Sequence, residues 1–485
     1  MDSLKVLFAV AEASPLAKVG GLADVAGALP KVLAKRGHDV RLVMPRYATI
    51  KDFPSTPVGD FTIPTPGGQE KATLREGRLG NGLPVYLVEN ERYFGRPKVY
   101  GEPDDLERFL FFSRSVPMLL KLGWKPDIVH CHDWHTAFVP CLLNTTYGED
   151  PFYSKCASVL TIHNLAYQGW FDDYFVNTAG LAGNMPAQHP LRPQLYSMLA
   201  LGILCSDVVS TVSPTYAREI LTPEYGEKLD PLLRLRQGEL FGILNGIDYD
   251  EFNPATDPRI PGNYDASSPQ KKAANKAALQ RKAKLPEDPS VPLIGMVGRL
   301  AAQKGMDILV EGLELFLKKE RAQFVLLGSG EELYQKMVAD IAAKYPRQAA
   351  LFLTFDLALA QLIYAGSDLF LMPSKFEPCG LGQMIALRYG TIPVVRRTGG
   401  LADTIRDAGP NLDAGNGFVF EEYSAKALLG ALRGAVAAFD HKEAWRLLMV
   451  RGMQADFSWQ ASARKYEEMY RKALDLRSKR RRAAS

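Results

Sequence analysis

KVLFAVAEASPLAKVGGLADVAGALPKVLAKRGHDVRLVMP, residues 5–45, carries the pattern on which the fold turns. Its first seven residues, 5–11, are apolar almost without interruption, as in a strand covered on both faces. A glycine pair, Gly20 and Gly21, then opens a stretch in which Leu22, Val25, Ala26, Leu29, Val32 and Leu33 fall on one helical face. Gly37 ends that periodicity, and HDVRLVMP (38–45) starts a second apolar run. Strand, glycine turn, helix and strand in this order form the repeating unit of a parallel sheet.

The same grammar continues in DIVHCH (127–132), ASVLTIHN (157–164) and DVVSTVS (207–213). It restarts at VPLIGMVGRL (291–300) and runs through AQFVLLGSG, LFLMPS, TIPVVRR and GFVF. Between the two series lies a polar, proline-bearing, lysine-rich region at about 253–292. The pattern predicts an α/β protein with two Rossmann-like domains, residues 1–245 and 246–455. A third segment, 456–485, contains FSWQASARKYEEMYRKAL, one amphipathic helix expected to cross back onto the first domain, and a basic tail.

A chain of 485 residues exceeds one ordinary core, and 47% apolar with 23% charged residues excludes a mostly disordered chain. Net charge is only +4 and well mixed, which points away from nucleic acid; the terminal RSKRRRAAS reads as a solvated, frayed end. The five cysteines (Cys131, Cys141, Cys156, Cys205, Cys379) show no CxxC spacing, so a reducing cytoplasm is expected. The first apolar run lacks a basic leader and is read as a strand, and no 18-residue apolar run exists, so no membrane is expected.

Five segments carry chemistry. KVGGLAD (18–24) puts Lys18 at the mouth of a glycine turn, with Gly20 and Gly21 allowing close approach and Asp24 in the first helical turn. HCHDWHT (130–136) crowds three histidines around Asp133, but neighbouring strand residues face opposite ways, so His130 and His132 cannot simply chelate with Cys131 and a polar substrate wall is favoured over a zinc site. His163 and Asn164 end the next strand, followed by Tyr167, Gln168 and Trp170, a mixture of polar groups and flat rings suited to sugars. In GRLAAQKG (298–305), Arg299 and Lys304 are spaced to hold a diphosphate. In MPSKFEPCGLGQMIAL (372–387), Glu377 can accept from sugar hydroxyls while the N–H groups from Gly380 through Leu381 to Gly382 face phosphate. Cys379 has no base beside it in sequence, and DYD (248–250) reads as structural despite its likeness to a metal-binding DxD. GGLAD itself occurs twice, at 20–24 and 399–403, each time after a strand. The dinucleotide fingerprint G-x-G-x-x-G is missing after the first strand, which disfavours a dehydrogenase.

As a set, KVGGLADV, VHCHDWHT, TIHNLAYQG, TVSPTYAREI, GILNGID, GRLAAQKG, PSKFEPCGLGQ, RRTGGLADT and DFSWQASA resemble the bacterial glycogen synthase and plant starch synthase family, in order and from residue 4 to about 470. The resemblance implies a GT-B fold, with two domains facing an interdomain cleft, the first on the acceptor side and the second binding the nucleotide sugar. It implies retaining transfer of glucose from ADP-glucose to the non-reducing 4-hydroxyl of an α-1,4-glucan, with no metal or other cofactor. By motif match, Arg299 and Lys304 hold the diphosphate, and Glu377, His163 and Asn164 bind the donor glucose. Lys18, Gly20 and Gly21 lie near donor and acceptor. Tyr100, Asp133 and Asn245 belong to the donor–acceptor cleft, and Phe355, where the family commonly has tyrosine, stacks on adenine.

The chain departs from the family at Lys375 (arginine), Gly382 (threonine), Thr354 and Leu357 (glycine and glutamate), Ala200 (lysine) and Ile385 (often tyrosine), changes expected to bear on base and ribose contacts. The alternatives are a transferase of the same fold using another nucleotide sugar, such as UDP-glucose, and a catalytically weak glucan-binding protein. Retention of Lys18, Arg299, Lys304 and Glu377 argues against the second.

Overall fold

The apolar runs become strands, and the computed structural model describes them within residues 3–65, 67–80, 82–120, 124–186 and 188–484. The chain divides into two units, Met1–Gly246 with Trp459–Ser485, and Ile247–Ser458.

In the first unit the strands are β1 (Lys5–Ala9), β2 (Asp39–Pro45), β3 (Ser55–Thr65), β4 (Gly68–Leu79), β5 (Leu83–Glu89), β6 (Ile128–His132), β7 (Ala157–Ile162), β8 (Val208–Thr211) and β9 (Leu240–Gly242). They form one sheet in the order β3-β4-β5-β2-β1-β6-β7-β8-β9. From β5 to β9 all neighbours are parallel, whereas β4 runs antiparallel to both β3 and β5. Strand–helix alternation therefore fails at 55–89, where an antiparallel meander extends the edge. Its strand β3 is mostly exposed, so no apolar run marks it. The helix Gly21–Lys35 buries the six residues of its predicted face, and Gly37 ends it with φ +97°.

The connection from β1 leads to β2 on one side, while β6 lies on the other. The carboxyl ends of β1 and β6 therefore flank the point where the winding reverses, the place where open α/β sheets bind ligands. KVGGLAD follows the first of those ends, and HCHDWHT forms the second and the turn after it.

The last helix, Trp459–Ala484, completes this core with Trp459, Ala463, Tyr466, Met469, Tyr470 and Ala473, a helical stripe. Glu467 fastens it: one oxygen accepts from Arg36 Nε at 2.6 Å and lies 3.1 Å from His38 Nε2, and the other accepts from the Arg36 guanidinium at 2.8 Å. The Arg36 bond, ahead of the other contributions, holds the Glu467 carboxyl down at about 2. A depressed acid contributes stability that is complete above its ordinary value, near 4.5, and fades as pH falls through its folded value. Glu467→Gln should therefore lower unfolding free energy by about 3 kcal/mol at neutral pH. In denaturant titrations the gap from wild type should close toward pH 2; a pH-independent gap would contradict this account. The first part of the basic tail continues the helix: Arg477 bonds to Asn144 and to Ser154 O (3.1 Å), and Arg480 to Asp207 Oδ1 (3.1 Å), while Arg481 and Arg482 are exposed.

The second unit has β10 (Leu293–Val297), β11 (Gln323–Leu327), β12 (Ala349–Phe352), β13 (Leu369–Met372), β14 (Ile392–Arg396) and β15 (Phe418–Phe420), in the order β12-β11-β10-β13-β14-β15 and parallel throughout. Here the winding reverses between β10 and β13, whose carboxyl ends lead into GRLAAQKG and PSKFEPCGLGQ. The polar segment 253–292 is an integral part of this unit. Lys272 Nζ donates to Tyr364 O (3.2 Å), Ala365 O (2.6 Å) and Thr391 Oγ1 (2.7 Å), while Lys276 pairs with Asp368 at 2.7 Å. Among the described residues no helix is long and apolar enough to cross a membrane.

Candidate active site

On the first unit the glycine turn is held from beneath. Glu12, just past β1, accepts from Val19 N (2.5 Å) and Gly20 N (3.1 Å) through one carboxylate oxygen. Burial raises its pKa to about 7, against the opposing pull of those N–H groups. Sequence reasoning missed Glu12; the available signal was a lone acid in an otherwise small and apolar run after a buried strand. Lys18 reaches Asp24 at 2.5 Å, so the Asp24 carboxylate is engaged with the lysine. A Cβ on Gly21 would meet nothing within 4 Å, which leaves the mouth of the turn open.

Asp133 sits in the left-handed region (φ 57°), and its Oδ1 accepts from His163 N at 2.7 Å, tying the ends of β6 and β7 together. Burial raises the Asp133 carboxyl to about 7. His132 Nδ1 and His163 Nε2 lie 3.0 Å apart. Asn164 Oδ1 accepts from Ala166 N at 3.1 Å. Tyr100 stacks on His135 with ring centroids 4.5 Å apart, its hydroxyl buried. Asn245 is buried, and its Oδ1 has no protein partner among the described residues. Among the described residues no three His, Cys, Asp or Glu side chains gather as a metal site.

On the second unit two loops are laced together. Lys304 Nζ donates to Glu377 Oε2 at 2.6 Å, and Ser374 Oγ donates to the same oxygen at 3.0 Å. Lys375 N donates to Gln303 O at 2.9 Å, and a Cβ on Gly305 (φ +74°) would fall 2.1 Å from Pro373 O. Arg299 is exposed and held by Gln303 at 3.3 Å. Gln383 Nε2 bonds to Cys379 O (3.0 Å) and Gly380 O (2.9 Å), shaping the turn whose Gly380 has φ +72°. Among the described residues the N–H groups of Gly380, Leu381 and Gly382 donate to no protein acceptor outside the helix ladder. Cys379 is buried. The result is one carboxylate, two cations and a row of free N–H groups at one switch point, a combination suited to a sugar on a diphosphate.

The second GGLAD proves to be the buttress of that loop. Gly400 N donates to Glu377 O (3.1 Å) and Pro378 O (3.2 Å), and a Cβ on Gly400 would fall 2.0 Å from Cys379 O.

Residues 5–235 match the family model of the starch synthase catalytic domain, and 278–445 match glycosyl transferases group 1. A glycogen synthase of Moorella thermoacetica is 50% identical, covering 98% of each chain. One of Geotalea daltonii is 48% identical over 97% of this chain and 99% of its own. The chain belongs to the glycogen and starch synthase family. The catalytic domain of starch synthase IV from Arabidopsis thaliana, solved with ADP and acarbose, superposes with TM-score 0.88 at 36% identity, over 98% of this chain and 100% of that one. The expected GT-B fold and glucosyltransferase class are thereby established.

Against the family pattern, Ala200 and Ile385 prove to be interior residues, in the helices Met198–Cys205 and Gly382–Arg388. Thr354 and Leu357 flank Phe355, which is 77% exposed and free to present its ring. DYD is structural: Asp248 caps Asp250 N at 2.9 Å, and Tyr249 bonds to Ala455 O at 3.1 Å.

Proposed function

We propose that this chain elongates an α-1,4-glucan by transferring glucose from ADP-glucose to a non-reducing 4-hydroxyl, with retention. In this reading residues 1–245 form the acceptor-side domain and 246–455 hold the nucleotide sugar. The observation that carries it is the Lys304–Glu377–Ser374 cluster beside the free N–H groups of Gly380, Leu381 and Gly382. Arg299, Lys304 and those N–H groups meet the charge that develops on the leaving diphosphate, without a metal. Glu377, His163 and Asn164 hold the glucose, Phe355 stacks on adenine, and Lys18 serves the turn at Gly20 and Gly21 near donor and acceptor. Tyr100, Asp133 and Asn245 complete the donor–acceptor cleft; Asp24 acts through Lys18.

A double displacement needs an enzyme nucleophile, and Glu377 is already engaged by a lysine and a serine. Front-face attack, with the leaving phosphate oxygen taking the proton of the acceptor hydroxyl, needs none. Trapping of a covalent glucosyl-enzyme would overturn this step.

The test is incubation with glycogen and labelled ADP- or UDP-glucose, with and without EDTA. Incorporation from ADP-glucose in preference to UDP-glucose, unaffected by EDTA, is expected. Preference for UDP-glucose would replace the donor assignment, and glycogen binding without incorporation from either would support a binding protein.

A further inference from the structure

The histidines of HCHDWHT are not consumed by the roles above. His130 and His132 alternate onto one face at the end of β6, with ring centroids 4.1 Å apart. His130 is fully accounted for: Nδ1 lies 2.9 Å from the Tyr470 hydroxyl and Nε2 2.6 Å from the Thr161 hydroxyl. His132 is not. Its backbone is pinned by the Thr136 hydroxyl, which accepts from His132 N (2.7 Å) and donates to His132 O (2.9 Å). Its ring stacks on Phe8 at 5.5 Å, its Nδ1 faces His163 Nε2 at 3.0 Å, and its Nε2 is buried with no partner among the described residues.

Burial pushes the pKa of all three rings down, that of His163 to about 3, so each is neutral at physiological pH and carries one N–H. The bond between two neutral imidazoles can then be made in two ways. If His163 donates from Nε2, the proton of His132 must sit on its Nε2, a buried donor facing no acceptor. If His132 donates from Nδ1, its Nε2 is only an unfilled acceptor. Orphaned buried N–H groups are the rarer and costlier of the two. The second arrangement leaves the single proton of His163 on Nδ1, for which no protein partner exists among the described residues.

We infer that His132 is the positioning residue that holds His163 in its Nδ1–H form, so that the imidazole offers the donor sugar a proton donor and not an acceptor. The inference rests on the reading of His163 as a sugar contact. Asp133 completes the arrangement by fixing His163 N.

The test uses the full chain labelled with 15N-histidine, the His163 signals being assigned by their loss in His163→Gln. In the wild type, His163 should show a protonated Nδ1 and a bare Nε2, a result that needs no variant at position 132. His132→Asn, whose amide places a donor near the former Nδ1, should preserve that form. His132→Leu should lose it and lower kcat about tenfold, the worth of one neutral hydrogen bond, with the glucan KM unchanged. A proton on His163 Nε2 in the wild type, or an unchanged form in His132→Leu, overturns the inference. Full activity in His163→Gln overturns the sugar contact on which it rests, while the spectra decide the tautomer separately.

Discussion

Replacing Glu377 with alanine is expected to lower kcat by at least about 100-fold with the fold intact, the scale set by losing one preorganised group at a reacting centre. The carboxylate is buried, and among the described residues its side-chain partners are the Lys304 ammonium and the Ser374 hydroxyl, both on one oxygen. Its other oxygen is left for sugar hydroxyls in the proposed reading. Truncation therefore does two things at once: it removes the acceptor for glucose and releases the ammonium. A freed Lys304 attracts diphosphate at least as well as a paired one, so ADP alone should bind Glu377→Ala no more weakly than wild type. Loss of turnover with ADP affinity kept is the expected signature, read by steady-state kinetics and calorimetric titration. Near-normal turnover would remove Glu377 from its role, and a parallel loss of ADP affinity would mean that the loop had collapsed instead.

The second large effect is expected at Gly400→Ala. The new methyl would fall 2.0 Å from Cys379 O and 2.5 Å from Cys379 Cα, backbone atoms with no flexible side chain to yield. Either the loop carrying Glu377 shifts or the helix Gly399–Thr404 does, at a cost of about 3 kcal/mol. Thermal unfolding should report that loss, and turnover should fall with it because Glu377 O is a direct partner of Gly400 N. Gly21→Ala, the corresponding glycine of the first GGLAD, meets nothing and should leave stability within about 0.5 kcal/mol of wild type. Equal destabilisation at both positions would mean that the two copies do the same work. The pentapeptide is thus one turn used twice: once open toward solvent and once clamped on a neighbouring loop.

Both sheets were legible because their central strands are buried on both faces and so appear as unbroken apolar runs, from KVLFA to IPVVR. The edge meander was not, since β3 keeps few apolar positions. Nor was the helix Ala273–Lys282, which buries Asn275, Lys276 and Gln280 by pairing them and not by an apolar stripe. At the site, Arg299, Lys304 and Glu377 announced themselves by residue type and by following strands. The supporting groups did not. Glu12, Ser374, Gln383 and His132 act on backbone N–H groups, carbonyls or other side chains, within a loop or turn or between neighbouring strands, and residue type alone does not say which of those partners each will take. The two copies of GGLAD, identical in sequence, show the limit most plainly, because what separates them is only what lies opposite.

The closing helix Trp459–Ala484 has a consequence for synthesis. Its Tyr466, Met469 and Tyr470 belong to the core of a unit whose other residues all precede 247. On the ribosome, Ile247–Ser458 emerges as one uninterrupted piece that can fold as a unit, whereas the earlier-made portion must wait, with the seat of His130 and Arg36 uncovered, until the last residues appear. The segment made first is the one finished last, and a nascent chain cut short before Trp459 would keep that apolar seat exposed.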